Sequence, residues 1–181
     1  MTAWPRGRSA DGGIDEIPFA SVTGRLWLCG KHVVGPDPEA ALARVGADHV
    51  LCLNERHEIE HRYPGYVSWL EGDGRERSTW FPTPDLGTRP LDDFLGLLEA
   101  TAQQLQSGRG LIVHCGAGIG RAGTFAVCAL VLAGADPAEA LLLVADHRPL
   151  AGPEAGSQAE LVDVVEAVVA AKVGPSTKPF A

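Results

Sequence analysis

Residues 111–124 read LIVHCGAGIGRAGT, and this stretch is the strongest indication of the fold in the sequence. An apolar run over residues 110–114 ends at a cysteine, and an arginine six residues later begins a second apolar run over residues 121–133. Glycine occupies positions 116, 118 and 120. Because glycine lacks a Cβ atom, the backbone can bend sharply here and turn several N–H groups towards one point. The pattern predicts a buried strand, a tight turn and a helix, in that order.

A turn lined by amides at the start of a helix suits a tetrahedral oxyanion such as phosphate. The same positive field stabilises a thiolate, which makes Cys115 a candidate nucleophile. Arg121 adds a planar guanidinium that can hold two phosphate oxygens. The predicted substrate-binding backbone comprises Gly116, Ala117, Gly118, Ile119, Gly120 and Arg121.

Residues 114–121, HCGAGIGR, resemble the HCxxGxxR phosphate loop of protein tyrosine and dual-specificity phosphatases. The resemblance implies an α/β fold in which helices flank a central, largely parallel sheet. It also implies hydrolysis of phosphomonoesters through a phosphocysteine, with phosphotyrosine or phosphoserine/threonine of proteins as substrates and small phosphomonoesters left open. In the family the histidine before the cysteine orients the loop, which implies a supporting role for His114; a core histidine with satisfied hydrogen bonds is the alternative.

A cysteine phosphatase also needs a proton donor for the leaving alcohol, because an alkoxide leaves poorly. In the family the donor is an aspartate on a separate loop. Asp85 lies thirty residues before Cys115, in the proline-rich segment 80–90 (WFPTPDLGTRP), and resembles that acid. Asp92 and Asp93 compete for the role, but they fall at the start of a predicted helix, where the helix dipole already explains acidic residues.

Two further positions concern turnover. Gln158 resembles the water-positioning glutamine of some relatives, and it fits an exposed residue in the first turn of the last helix equally well. Position 122 is alanine, where the family usually has Ser or Thr. That hydroxyl donates to the sulfur as the phosphocysteine breaks down, so its absence predicts slow hydrolysis of the phosphoenzyme without loss of the attack by Cys115.

The cysteines favour no metal site. None of the four lies in a CxxC pair, so zinc spacing is absent, and the resemblance implies no metal or other cofactor. Some relatives protect an oxidised nucleophile by a disulfide with a cysteine on a neighbouring strand, a role open to Cys52; a small buried core residue is the alternative. Residues 54–58 (NERHE) follow the Cys52 strand and resemble a polar segment that lines the pocket in related enzymes, where Arg56 could help to recognise an anionic substrate; a solvated, charged loop is the favoured expectation.

On both sides of residues 111–124, short apolar runs alternate with longer runs of helical periodicity, which is typical of an α/β domain. Residues 80–90 contain three prolines and a glycine and predict a loop. The predicted strands are residues 25–29, 49–53, 66–70 and 110–114. The predicted helices are residues 37–45, 91–105, 121–133, 137–147 and 157–172.

The 181 residues suit one domain, predicted at residues 17–173 between flexible tails at 1–16 and 174–181. With 15 Lys and Arg against 23 Asp and Glu, the net charge of −8 argues against nucleic acid and anionic membranes as partners. There is no signal-peptide core, and the uncharged run 122–135 is too short to span a bilayer. A soluble, cytoplasmic protein is expected, and its oligomeric state is not indicated.

Two other classes of function fit parts of the pattern. Ala122 keeps open a phosphate-binding pseudophosphatase or interaction module with little turnover. Sulfur transfer, as in rhodaneses, is disfavoured, because those loops do not combine this arginine spacing with an upstream Pro-Asp loop.

Overall fold

A computed structural model describes residues 13–173 of the chain. The strands are β1 (Asp15–Ile17), β2 (Arg25–Gly30), β3 (His49–Cys52), β4 (Ser78–Trp80) and β5 (Gly110–Cys115). The first four helices are α1 (Lys31–Val34), α2 (Pro38–Val45), α3 (Arg56–Ile59) and α4 (Pro64–Glu71), followed by a 3₁₀ turn at Arg75–Arg77. The last four are α5 (Leu91–Gln106), α6 (Gly120–Leu132), α7 (Pro137–His147) and α8 (Gly156–Val173).

The five strands form one sheet in the order β1-β2-β5-β3-β4. β5 lies in the middle and runs parallel to both neighbours, with Leu26 and Val50 opposite Leu111 and Ile112. β4 is parallel to β3, and only the edge strand β1 is antiparallel to its neighbour. The expected central, largely parallel sheet flanked by helices is confirmed.

Two apolar layers cover the sheet. On one face α6 is buried from Gly120 to Val131, and its Phe125 meets Phe94 of α5 edge to face with ring centroids 6.0 Å apart. A helix that is apolar all round needs cover on every side, and α6 has the sheet on one side and α7 and α8 on the other. Side chains of α2 and α4 cover the opposite face. Strand β5 is therefore buried on both faces.

One predicted strand is wrong. Residues 66–70 belong to helix α4, which begins with Pro64 in its first turn. The buried residues of α4 are Tyr66, Val67 and Leu70, a spacing that places them on one face of a helix. An apolar run this short fits a strand and a buried helix equally well, and the proline decides between them. The position beside β3 is taken by β4, whose three residues are too few for a periodic signal.

The other predicted strands and helices agree with the structure to within one residue at each end. The predicted N-terminal tail extends too far, because Asp15 and Glu16 lie in β1, which pairs with β2. Arg25 of β2 holds Glu16 through two side-chain hydrogen bonds. The predictions for residues 1–12 and 174–181 lie outside the described residues. Among the helices that are described, none has the length and apolarity needed to cross a membrane.

Candidate active site

The candidate site lies where β5 ends. Cys115 is the last residue of this strand and sits opposite Gly30 of β2, while Leu53 after β3 donates its N–H to the His114 carbonyl. The carboxyl ends of three parallel strands therefore meet at Cys115. Ligands of open α/β sheets bind at this edge. Residues 115–121, here called the 115–121 loop, connect β5 to α6.

The loop is held from outside by its carbonyl groups. Gly116 O accepts from the Lys31 N–H at 3.2 Å, and the Ala117 and Gly118 carbonyls accept from the Arg148 guanidinium at 2.8 and 2.6 Å. In a trans peptide the N–H points opposite to the preceding C=O. The amides of residues 117–119 therefore face the other side of the loop, and their binding of a phosphate stays a prediction.

Gly118 cannot be replaced without strain. It has a φ of 74°, in the left-handed region, and a Cβ atom there would lie 2.2 Å from the Cys29 carbonyl oxygen. At Gly120 a Cβ atom would lie 1.9 Å from a carboxylate oxygen of Glu154. Gly118 therefore lets the loop approach β2, whereas the neighbour of Gly120 is the end of the exposed Glu154 side chain, which can move aside.

Arg121 is buried at the start of α6 and is held by a fork of hydrogen bonds. Its Nη1 and Nη2 donate to Oε2 and Oε1 of Glu58, each at 2.7 Å, and Nη1 also donates to the Thr83 carbonyl at 2.8 Å. Although burial opposes the charged form, the hydrogen bonds to Glu58 raise the pKa of Arg121. The buried Nε is left with no hydrogen-bond partner among the described residues.

Glu58 is the main site residue that the sequence analysis missed, and the expectation of a solvated loop over residues 54–58 is wrong for it. Its carboxylate also accepts from Asn54 Nδ2 at 2.9 Å and from the Glu55 N–H at 2.7 Å. Burial works against ionisation, but these hydrogen bonds, with that from Arg121 the strongest, lower the pKa of Glu58 to about 2. The available signal was a polar segment directly after a central strand, at the edge of the sheet where Cys115 lies.

The structure brings Asp85 to Arg121. Asp85 Oδ1 lies 3.1 Å from Arg121 Nη2, and 72% of the Asp85 side chain is exposed. The Asp85 loop, residues 81–90, is anchored to β3 by the Thr83 N–H, which donates to the Leu53 carbonyl at 3.1 Å. Asp92 and Asp93, the competing candidates, lie in the first turn of α5, and Asp93 pairs with Arg89.

His114 lies under the loop, fully buried. Its Nε2 shares a 2.6 Å hydrogen bond with the Tyr66 hydroxyl of α4. Burial lowers the pKa of His114 to about 3 and raises that of Tyr66, so both side chains are neutral near pH 7. This contact depends on residues 66–70 being helical.

Gln158 is 1% exposed, which excludes the expected alternative of an exposed residue. Its Oε1 accepts from the Glu154 N–H at 2.8 Å and from the Thr124 hydroxyl at 3.4 Å, and its Nε2 donates to the Gly87 carbonyl at 3.4 Å. Gln158 thus links α6, α8 and the Asp85 loop. A water-positioning role stays a prediction.

Two further cysteines lie close to the loop. Cys29 and Cys52 are both register partners of His114, and they pack in the apolar layer of α2 and α4. Cys115 packs in the layer of α6, on the opposite face of the sheet. All four cysteines of the chain are free thiols, and a protective disulfide between Cys52 and Cys115 stays a prediction. Within residues 13–173, no group of three or more His, Cys, Asp or Glu side chains is placed to hold a metal ion.

Several solved structures of phosphatases share this fold. PTPMT1 superposes with a TM-score of 0.72 at 18% identity, covering 89% of this chain and 98% of its own. Kinase associated phosphatase, solved with its catalytic-site cysteine replaced by serine, gives 0.71 at 22% identity over 88% and 96% of the two chains. Tk-PTP in the active form gives 0.61 at 24% identity over 83% and 99%.

No curated protein matches the chain in sequence. A family model does match. Residues 22–164 fit the model described as PTP-SAK, the Swiss Army Knife protein, DSP-PTPase phosphatase domain. This match spans β2, β3, β5 and the 115–121 loop with both flanking layers of helices. The chain therefore belongs to the PTP-SAK family of DSP-PTPase phosphatase domains, within the dual-specificity and tyrosine phosphatase superfamily.

Proposed function

We propose that the protein hydrolyses phosphomonoesters through a phosphocysteine formed on Cys115, with phosphotyrosine or phosphoserine/threonine of proteins as substrates. The buried Nε of Arg121 carries the proposal. Glu58 accepts hydrogen bonds from both terminal nitrogens of the guanidinium. The remaining nitrogen, Nε, is a charged donor without a partner in the residues described. A buried donor of this kind is costly unless a ligand satisfies it. A phosphate oxygen is the acceptor that fits.

In the first step the Cys115 thiolate attacks phosphorus, the bond to the leaving oxygen breaks, and Asp85 gives that oxygen its proton. The amides of residues 116–121 and Arg121 stabilise the charge on the three equatorial oxygens. In the second step Asp85 takes a proton from water, whose oxygen attacks phosphorus. Inorganic phosphate then leaves, and the thiolate is restored. The loop supplies the positive charge that a metal ion would otherwise provide, so the proposed reaction needs none.

The residues that form and border the 115–121 loop support the proposed class of substrate. The loop reads Gly-Ala-Gly-Ile-Gly between Cys115 and Arg121 and carries no lysine, while the Glu154 carboxylate lies against Gly120. Both features disfavour a substrate with further phosphates beside the reacting one. PTPMT1, which shares the fold, has been solved in complex with PI(5)P. Phosphorylated protein side chains therefore fit this chain better, with small phosphomonoesters as the remaining alternative.

The test is quenched-flow hydrolysis of an aryl phosphate by the wild type and by Cys115→Ser, with a chelator present. We expect a burst of aryl alcohol, equal in amount to the enzyme, followed by slower turnover. Cys115→Ser abolishes both. If the wild type gives neither burst nor turnover, the phosphatase proposal fails.

One observation favours a second function. Ala122 is fully buried beside the loop and has no hydroxyl for the sulfur, while the Thr124 hydroxyl, two residues on, bonds to Gln158. A phosphate-binding pseudophosphatase or interaction module with little turnover would need only the loop and Arg121. Binding of inorganic phosphate by a wild type that shows neither burst nor turnover would support it.

A further inference from the structure

We propose that Asp15 and Arg148 are positioning residues for the 115–121 loop, so that the N-terminal edge strand β1 sets the affinity of the site for phosphate. Neither residue touches the substrate in this proposal. It rests on the function proposed above, because it assigns a role in binding the same phosphate group.

Arg148 follows α7, and its side chain is 2% exposed. Its Nε donates to Gly118 O at 2.6 Å and its Nη2 donates to Ala117 O at 2.8 Å. One rigid guanidinium therefore fixes two consecutive peptide units. Because the N–H of each trans peptide points away from its C=O, fixing these carbonyls aims the amides of Gly118 and Ile119 at the opposite side. Those two amides belong to the proposed phosphate site.

The third nitrogen of Arg148 connects the loop to β1. Nη1 forms an ion pair with the Asp15 carboxylate, whose side chain is 12% exposed, and it lies 3.4 Å from the Leu28 carbonyl. Asp15 is the register partner of Leu28, so the pair is built where β1 joins β2. A buried cation requires a counter-charge, and removing one partner of such a pair leaves the other uncompensated. Asp15 therefore holds the guanidinium where it can reach both loop carbonyls.

A lysine could not replace this arginine. Its ammonium is a point charge, whereas the guanidinium presents donors along three directions in one plane. Here the three directions lead to Gly118, Ala117 and Asp15. The arrangement thus depends on the shape of the donor as well as on its charge.

The chain offers a matched control for β1. Glu16, the next residue, pairs with Arg25 of β2 on the exposed surface and makes none of these contacts with the loop. Glu16→Gln therefore perturbs the same two strands without changing Arg148. A purely structural role of β1 predicts that Asp15→Asn and Glu16→Gln differ only in thermal stability. A positioning role predicts that only Asp15→Asn weakens phosphate binding.

The experiment compares the full-length wild type with Asp15→Asn, Glu16→Gln and Arg148→Lys. For each protein, calorimetric titration gives the Kd of inorganic phosphate, steady-state kinetics give KM and kcat for an aryl phosphate, and a thermal melt gives the stability. For Asp15→Asn we expect the Kd of phosphate and the KM to rise about tenfold, since a displaced loop misaligns its amides. For Arg148→Lys we expect a rise of about tenfold to a hundredfold, and for Glu16→Gln no change.

An unchanged phosphate Kd in a folded Asp15→Asn overturns the proposal, even if its melting temperature falls. Should Arg148→Lys not fold, Asp15→Asn decides alone, because asparagine keeps the size of the side chain. The results for the wild type distinguish failure of this inference from failure of the proposed function. A wild type that neither binds phosphate nor hydrolyses the ester defeats both, whereas an active wild type with an unaffected Asp15→Asn defeats the positioning role only.

Discussion

Glu58 and Arg121 face each other through two parallel hydrogen bonds of 2.7 Å, although 63 residues separate them in the chain. Bidentate pairing of a carboxylate with a guanidinium fixes orientation as well as charge. With both terminal nitrogens held, the guanidinium plane is set before any ligand arrives, and Nε is the donor without a partner in the described part of the chain. In the proposed function Glu58 thereby prepares Arg121 to bind the phosphate group.

Replacing Glu58 by glutamine is expected to weaken phosphate binding. Glutamine keeps the shape but loses the charge, so Arg121 is held less firmly, and we expect KM for an aryl phosphate to rise about tenfold, the effect of losing a hydrogen bond to a charged group. The measurement is steady-state kinetics of Glu58→Gln beside Glu60→Gln. Glu60 caps the C-terminal end of the same short helix, and its Oε1 lies 4.0 Å from His61 Nε2. Equal KM values in the two variants would contradict the assigned role of Glu58.

Replacing Asp85 by asparagine is expected to strengthen phosphate binding and to slow turnover. The Asp85 carboxylate lies 3.1 Å from Arg121 Nη2, where it repels an incoming phosphate. Asp85→Asn should therefore bind inorganic phosphate more tightly than the wild type. Its kcat for an alkyl phosphate should fall by about 10²–10⁴, the usual contribution of a general acid, and fall less for an aryl phosphate with a good leaving group. Calorimetry and steady-state kinetics measure the two effects.

Asp92→Asn is the control for this variant, because Asp92 lies in the first turn of α5 and its loss should leave both quantities unchanged. If Asp85→Asn hydrolyses alkyl phosphates at the wild-type rate, another residue is the acid. If it binds phosphate less tightly, the Asp85 carboxylate does not repel the bound phosphate.

How far the sequence predicted this site depends on how local each feature is. The strand, turn and helix around Cys115 are encoded within one short stretch, so the 115–121 loop was predictable. The prolines of residues 80–90 likewise predicted the loop that carries Asp85, whose catalytic role stays a prediction. The contact of Glu58 with Arg121 is not local. It requires that β3 and β5 be neighbours in the sheet, and strand order cannot be read from a single sequence.

The surroundings of Tyr66 and Gln158 were not predictable for the same reason. Tyr66 reaches His114 only because residues 64–71 are helical, and a short apolar run does not distinguish a helix from a strand. For Gln158 an exposed first turn was one of two equally open alternatives, and it is excluded because the Asp85 loop and α6 contact the side chain. In both cases packing between distant segments, which has no local signature, decides the environment of the side chain.

Burial of His114 predicts a pH dependence of stability. Its pKa falls to about 3 in the folded protein against an ordinary value of 6.5, so between these values the unfolded chain binds a proton that the folded one does not. The stabilising effect of the neutral histidine is complete above pH 6.5 and is lost as the pH falls below it. We expect the free energy of unfolding to drop by about 1.4 kcal/mol per pH unit per histidine of this kind between pH 6 and 4.

Urea unfolding of the wild type and of His114→Asn at pH 7, 6 and 5 measures this slope. Buried His49, whose pKa burial lowers to about 4, contributes to the wild-type slope as well. His114→Asn should therefore reduce the slope without abolishing it, and His49→Asn should do the same. A slope in His114→Asn equal to that of the wild type would mean that His114 takes up its proton at the same pH in the folded and the unfolded protein.

Introducing a hydroxyl at position 122 is expected to speed the second chemical step. A serine there can donate to the sulfur of Cys115 as the phosphocysteine breaks down, and a hydrogen bond to a charged group contributes about 1.5–3 kcal/mol. That energy corresponds to an increase of about tenfold to a hundredfold in the rate of dephosphorylation. Quenched-flow kinetics should show the steady-state rate of Ala122→Ser rising towards the burst rate, while the burst rate itself stays unchanged.

Because Ala122 is fully buried, the added oxygen needs room, and a thermal melt of Ala122→Ser checks that the core of α6 accepts it. The double variant Cys115→Ser/Ala122→Ser should show neither burst nor turnover, which ties the gain to the phosphocysteine. If a folded Ala122→Ser turns over no faster while the wild type shows a burst, breakdown of the intermediate is limited elsewhere. Positioning of the attacking water by the Asp85 loop and Gln158 would then be the limiting factor, since this loop carries Asp85, the proposed base for the water.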